Sequence, residues 1–192
     1  ATLSKMSGHP VKISMSRTEV FEGTGPTSGG YLKVKVGVNN EGRITAADAH
    51  MAYEAGAYPG SPVGAGAQCI YGMYDIPNAR VEGLDVVLNK PKTAAYRAPG
   101  SPAAAYALET VVDEICEKLG MDSLEFRMLN GAKEGTRRVT GPLYPKIGFL
   151  EMVQAAKDHD HYKTPLEGPN RGRGIAGGFW FNGTGPSSAT AS

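Results

Sequence analysis

Cysteine is scarce: Cys69 and Cys116 are the only two in 192 residues. Two thiols are too few for a disulfide framework or a thiolate metal site, and both fall in apolar stretches, so buried free thiols in a reducing cytoplasm are expected. No run of eighteen apolar residues occurs, which leaves no candidate for an apolar helix across a membrane. Neither sign of charge prevails. Twenty basic residues against nineteen acidic ones leave a formal charge of +1, so there is no general footprint for nucleic acid or for an anionic membrane. The four histidines form no ligand pattern: His9 and His50 are far apart, and His159 and His161, at i and i+2, cannot share a helix face. No G-x-S-x-G nucleophile elbow appears, nor any Ser or Cys with a convincing base, so the sequence offers no catalytic residue and no metal ligand of its own. An initiator Met and a signal-peptide pattern are also missing, and the expectation is a piece of a longer protein.

Glycine and proline are plentiful instead, at 26 and 13, without forming a low-complexity tract. PVKISMS (10–16) has the alternation of a strand, and RTEVFEG (17–23) offers one helical turn at most. YLKVKVGV (31–38) places Leu32, Val34, Val36 and Val38 on one face; NNEG (39–42) supplies a turn, and 44–58 reads as the return strand of a hairpin. GTGPTSGG (23–30) is not a dinucleotide loop, because position 28 is serine and a strand follows instead of a helix; a surface turn is expected. The stretch 59–78 suggests a tight loop and a short helix up to Tyr71, and 79–89 another strand. From Pro102 the period changes. Ala104, Leu108, Val111, Val112, Ile115 and Leu119 form one helical stripe. Burying it fully contributes roughly 6–15 kcal/mol before entropy is subtracted. Ser101 is the expected N-cap, Pro102 the first helical residue and Gly120 the stop. A second helix follows over 121–130, capped by Asp122 or Ser123, then a loop over 134–148, a third helix over 149–159, and a linker into a final strand over 174–182. Strands first and helices later predict an α+β fold, a mixed β-sheet with packed helices.

Within KTAAYRAPGSPAAAYALE (92–109), Arg97 stands just before a helix start, where the macrodipole disfavours a cation. A guanidinium beside the free N–H groups of a helix start makes an anion pocket. The alternative is an arginine that only reaches solvent or caps a neighbouring helix.

The segment AYRAPGSPAAAYALETVVDEICEKLGMDSLEFRMLN resembles the central part of the molybdenum-cofactor-binding large subunit of the xanthine dehydrogenase and aldehyde oxidase family. That family's pattern is aromatic-Arg-Gly-x-Gly, then a helix ending in a D-E-x-A-x-x-L-G-x-D-P-x-E-x-R-x-x-N type run. The chain keeps Tyr96, Arg97, Gly100, Glu109, Asp113, Glu114, Leu119, Gly120, Asp122, Glu125, Arg127 and Asn130. GHPVKISMSR, the hairpin to EAGAY and YDIPN (74–78) also match in order and spacing. The resemblance implies part of a molybdopterin-binding domain over 1–168, with 169–192 a linker and the first strand of a following segment. It implies a cofactor-binding loop of Tyr96, Arg97, Ala98 and Gly100, with the N–H groups of Ala98 and Gly100 facing the cofactor and Pro99 at the substrate pocket. It also implies hydroxylation of an aldehyde or N-heterocycle with water-derived oxygen, and electron transfer through iron–sulfur and FAD partner subunits or domains. Pro99 replaces the aromatic ring of purine-oxidising members, VGAGAQ (63–68) lacks their substrate-binding arginine, and no cysteine follows Arg97 as it does in carbon-monoxide-oxidising members. These departures argue against xanthine and carbon monoxide. The family's glycine- and phenylalanine-rich cofactor loop and its catalytic glutamate are not in this sequence, so catalysis is expected of the intact parent, not of the isolated piece. A non-catalytic scaffold that keeps the fold without the metal is the rival expectation.

Overall fold

A computed structural model describes residues 1–181. Two short helices, α1 (Thr2–Ser7) and α2 (Arg17–Gly23), precede a hairpin of β1 (Gly30–Val38) and β2 (Ile44–Gly56); α3 (Val63–Cys69) then leads to β3 (Ala79–Val87). Four helices follow: α4 (Ser101–Leu119), α5 (Ser123–Asn130), α6 (Phe149–Asp158) and α7 (Asp160–Lys163). The sheet order is β1-β2-β3, with β1 antiparallel and β3 parallel to β2. The α+β reading with a mixed sheet holds.

The hairpin forms where the alternation is cleanest. Leu32, Val34 and Val36 of β1 pack on the core beside Ala47, Ala49, Met51 and Tyr53 of β2, because a period of two sends alternate side chains to one face. Beneath that face lies α4, presenting Ala104, Leu108, Val112 and Ile115, all buried. Val111 is only partly buried and Leu119 is exposed, so the six-residue stripe contributes four fully buried positions. Asp122 caps α5 by accepting from the N–H groups of Leu124 (2.9 Å) and Glu125 (3.0 Å). At the other end of α5, the buried Asn130 amide accepts from Ile44 N–H (2.9 Å) and donates to the Gly42 carbonyl (2.8 Å), clamping the hairpin turn to the helix.

Several expectations fail for identifiable reasons. PVKISMS forms no strand, and every residue of 10–16 is exposed. Alternation alone makes no strand when no ladder partner lies alongside. RTEVFEG makes a seven-residue helix, longer than one turn, because Ser16 and Glu19 form a reciprocal capping box. Ser101 is not the N-cap. Gly100 is, since its carbonyl accepts from Ala104 N–H (3.2 Å), while the Ser101 hydroxyl donates to the Phe179 carbonyl (2.6 Å). The short α7 was not foreseen. The final strand pairs with nothing among the described residues: 173–181 alternate between partly buried and exposed, yet join no ladder. Asn182 and the residues after it lie outside the described residues.

Among the described residues, no helix is long and apolar enough to cross a membrane. Cys69 and Cys116 are buried free thiols, and burial pushes both up from the ordinary thiol value.

Candidate functional site

The segment from Lys92 to Gly100 is a loop tied down at both ends. At its start, Ala94 N–H donates to the Pro26 carbonyl (2.8 Å), and Thr93 donates to the Ala55 carbonyl through its N–H (3.1 Å) and its hydroxyl (3.2 Å). Gly25 presses so close that an added Cβ would lie 1.9 Å from the Lys92 carbonyl oxygen. GTGPTSGG is therefore more than a surface turn; its small residues let one loop pack against another. Lys92 Nζ donates to the Gly60 carbonyl (2.8 Å).

The far end is held at Gly100. Its carbonyl accepts from the buried Tyr53 hydroxyl at 3.0 Å, and burial, with a smaller effect from nearby Tyr96, pushes that phenol up to about 12. Gly100 has φ 82°, and a Cβ there would stand 2.4 Å from the Pro62 carbonyl oxygen. No other residue fits without displacing the backbone of 62–66.

Between these anchors the tip projects. Tyr96 and Arg97 are exposed, Ala98 and Pro99 half-buried, and Gly100 buried. The five sequence-predicted residues, consecutive in the chain, make up this tip and its buried anchor. Ala98 adopts φ 57°, the left-handed region, which disfavours a residue with a Cβ. Its carbonyl accepts from Ser101 N–H (3.1 Å). Among the described residues, the Ala98 and Gly100 N–H groups donate to no acceptor and the Arg97 guanidinium has no partner. One guanidinium and two uncommitted N–H groups at the start of a nineteen-residue helix are a donor set suited to an anionic group.

The loop 60–62 that supports Gly100 is itself held by Asp85 of β3, which accepts from the N–H groups of Gly60 and Ser61, each at 2.8 Å. The Ser61 hydroxyl beside it and these two N–H groups hold the Asp85 carboxyl below the ordinary aspartate value, against a small opposing effect of burial. A depressed folded value means the contribution is complete above the unfolded value, about 3.9, and is lost as pH falls through the folded one. The Gly60 and Ser61 amide resonances should therefore titrate with a midpoint below about 3.9, and Asp85→Asn should abolish that transition. A midpoint at or above the ordinary value would contradict this support.

A buried network missed by sequence reasoning lies under the helix. Arg127 donates to Glu109 through Nη2 (2.5 Å) and Nε (3.2 Å), Tyr74 donates to Glu109 (2.5 Å), and Gly177 N–H donates to the same carboxylate (2.5 Å). Arg127 also donates to the carbonyls of Ser123 (2.8 Å) and Ile175 (3.1 Å). In the sequence, Glu109 and Arg127 stand out only as residues of the shared pattern. Their sole signal is that two charges occupy helix positions beside apolar neighbours.

The profile of the molybdopterin cofactor-binding domain matches residues 1–131, more than half of the chain. The chain belongs to this family. The nicotinate dehydrogenase large molybdopterin subunit of Eubacterium barkeri is 30% identical to the domain over 163 residues, covering 82% of this chain and 38% of that one. The aldehyde oxidoreductase of Megalodesulfovibrio gigas is 30% identical over 172 residues, covering 87% of this chain and 18% of that protein. The chain thus spans well under half the length of these relatives. Among solved structures, the aldehyde oxidoreductase from Desulfovibrio gigas superposes with a TM-score of 0.65 at 29% identity, over 69% of this chain and 15% of that one. Quinoline 2-oxidoreductase from Pseudomonas putida 86 has a TM-score of 0.74 at 24% identity, over 84% of this chain and 22% of that one, a likeness of fold. The molybdopterin-binding domain described here therefore carries the Tyr96–Gly100 turn at the start of its longest helix.

Proposed function

We propose that this chain is the part of a molybdenum hydroxylase large subunit that presents the Tyr96–Gly100 turn to the molybdenum cofactor. The observation that carries the reading is the uncommitted donor set of Arg97, Ala98 N–H and Gly100 N–H on a turn anchored at both ends. When bound, the cofactor supplies the redox centre for hydroxylating an aldehyde or N-heterocycle with oxygen from water. Arg97 and the two N–H groups hold and orient its anionic face, and Pro99 walls the neighbouring substrate space. Tyr53, Gly100, the 60–62 loop and the first turn of α3 keep these donors in place, so that little reorganisation is needed on binding. Residues 1–168 would then belong to one molybdopterin-binding domain and 169–192 would lead into the next segment. Electrons would leave through iron–sulfur and FAD partners, and the assembly would be cytoplasmic. The names of two relatives, a nicotinate dehydrogenase and an aldehyde oxidoreductase, support the substrate class.

Molybdenum and pterin analysis of the natively purified parent, paired with dye reduction over a panel of aldehydes and N-heterocycles, tests the proposal. Stoichiometric metal and pterin with substrate-dependent reduction are expected. Fully assembled parent without metal would overturn it in favour of a scaffold that retains the fold.

A further inference from the structure

Among the described residues the sheet has three strands, but α4 provides a floor for a fourth. Beside its buried stripe, α4 presents Ala103, Tyr106, Ala107, Thr110, Val111 and Glu114, a second face that overhangs the free edge of β1. Between this face and Gly30, Leu32, Lys33 and Val34 runs an open groove of about 630 Å³. Ala103 and Ala107 are the small side chains on its floor.

Among the described residues, the backbone at that edge pairs with no strand but β2. Glu54 N–H donates to the Gly29 carbonyl, and the register continues with Gly30 opposite Tyr53. Hydrogen-bonded pairs alternate along an antiparallel ladder, so Tyr31, Lys33 and Lys35 direct their backbone groups to β2. Leu32, Val34 and Val36 consequently turn theirs to the open edge. An unpaired edge beside an apolar floor is a template for strand addition.

Charge specifies the occupant. Lys33 and Lys35 stand on the outer face of β1, and among the described residues neither has an ion-pair partner; Asp48, opposite Lys35, lies 3.9 Å from Arg80 instead. A second copy of β1 pairing antiparallel about Val34 would set Lys33 against Lys35, and like charges directly opposite are destabilising. We propose that this groove binds an extended strand of a partner protein in which acidic residues alternate with apolar ones. The acidic side chains lie across from Lys33 and Lys35, and the apolar ones across from Leu32 and Val34, packing on Ala103, Ala107 and Val111.

Titration of the isotopically labelled chain with the peptide Ac-VEVEVEV-NH₂, followed by NMR, tests the assignment. Saturable shifts centred on Gly30–Val36, with slowed exchange at Leu32 and Val34, are expected. The lysine counterpart Ac-VKVKVKV-NH₂ should bind roughly tenfold more weakly. Lys33→Glu/Lys35→Glu should invert that preference, and Ala107→Leu, which fills the groove, should weaken both peptides. Absence of saturable β1 shifts, or equal binding of the two peptides, would overturn the proposal. So would concentration-dependent dimerisation that produces the same shifts without peptide, because the occupant would then be a second copy.

Discussion

Glu109→Ala should destabilise the chain by about 3–5 kcal/mol, the cost of leaving a buried charge without its partner. Arg127 is 1% exposed and Glu109 3%, so water cannot replace the lost carboxylate. The substitution also strips an acceptor from the Tyr74 hydroxyl and from Gly177 N–H. A drop of this size lowers the melting temperature of a chain this long by roughly 6–20 °C. The double variant Glu109→Leu/Arg127→Met should lose less than Glu109→Ala alone, because the net contribution of an intact buried pair is small once desolvation is subtracted. The extended segment 175–179 should come loose in both variants and become sensitive to limited proteolysis. Thermal and urea unfolding of the single and double variants measure the effect. A Glu109→Ala change below about 1 kcal/mol, the scale of an exposed ion pair, would show that the network is not the clamp described.

The hairpin and α4 were legible because each wrote its geometry as a period. Leu32, Val34 and Val36 alternate, and Ala104, Leu108, Val112 and Ile115 recur at helical spacing. Periodicity reports which side chains share a face, not whether a neighbouring strand exists, so PVKISMS and the final segment read as strands, while 10–16 and 174–181 pair with nothing among the described residues. Ser101 misled in a similar way. A serine before an apolar stripe is a good cap by composition, but the helix begins where the Gly100 carbonyl takes its first bond, and the hydroxyl is already committed to Phe179. The Glu109 partners lie 18, 35 and 68 residues away in sequence, a separation that no local pattern encodes. At the site, Arg97 stood out because a cation before a helix start runs against the macrodipole. The anchors that fix its turn, Tyr53, Gly25, the 60–62 loop and the first turn of α3, became visible only through contacts across the fold.

The central claim is that Arg97 serves the cofactor and not the core, and turnover per bound molybdenum in the intact parent carrying Arg97→Ala tests it most directly. The side chain is exposed and has no partner among the described residues, so expression and folding should be unaffected. Removing a preorganised donor from a catalytic centre lowers turnover by about 10²–10³-fold. The account predicts a fall of that order, with Arg97→Lys recovering part of it because it restores the charge without the planar fork. Unchanged turnover at full molybdenum loading would contradict the account and leave Arg97 a surface residue.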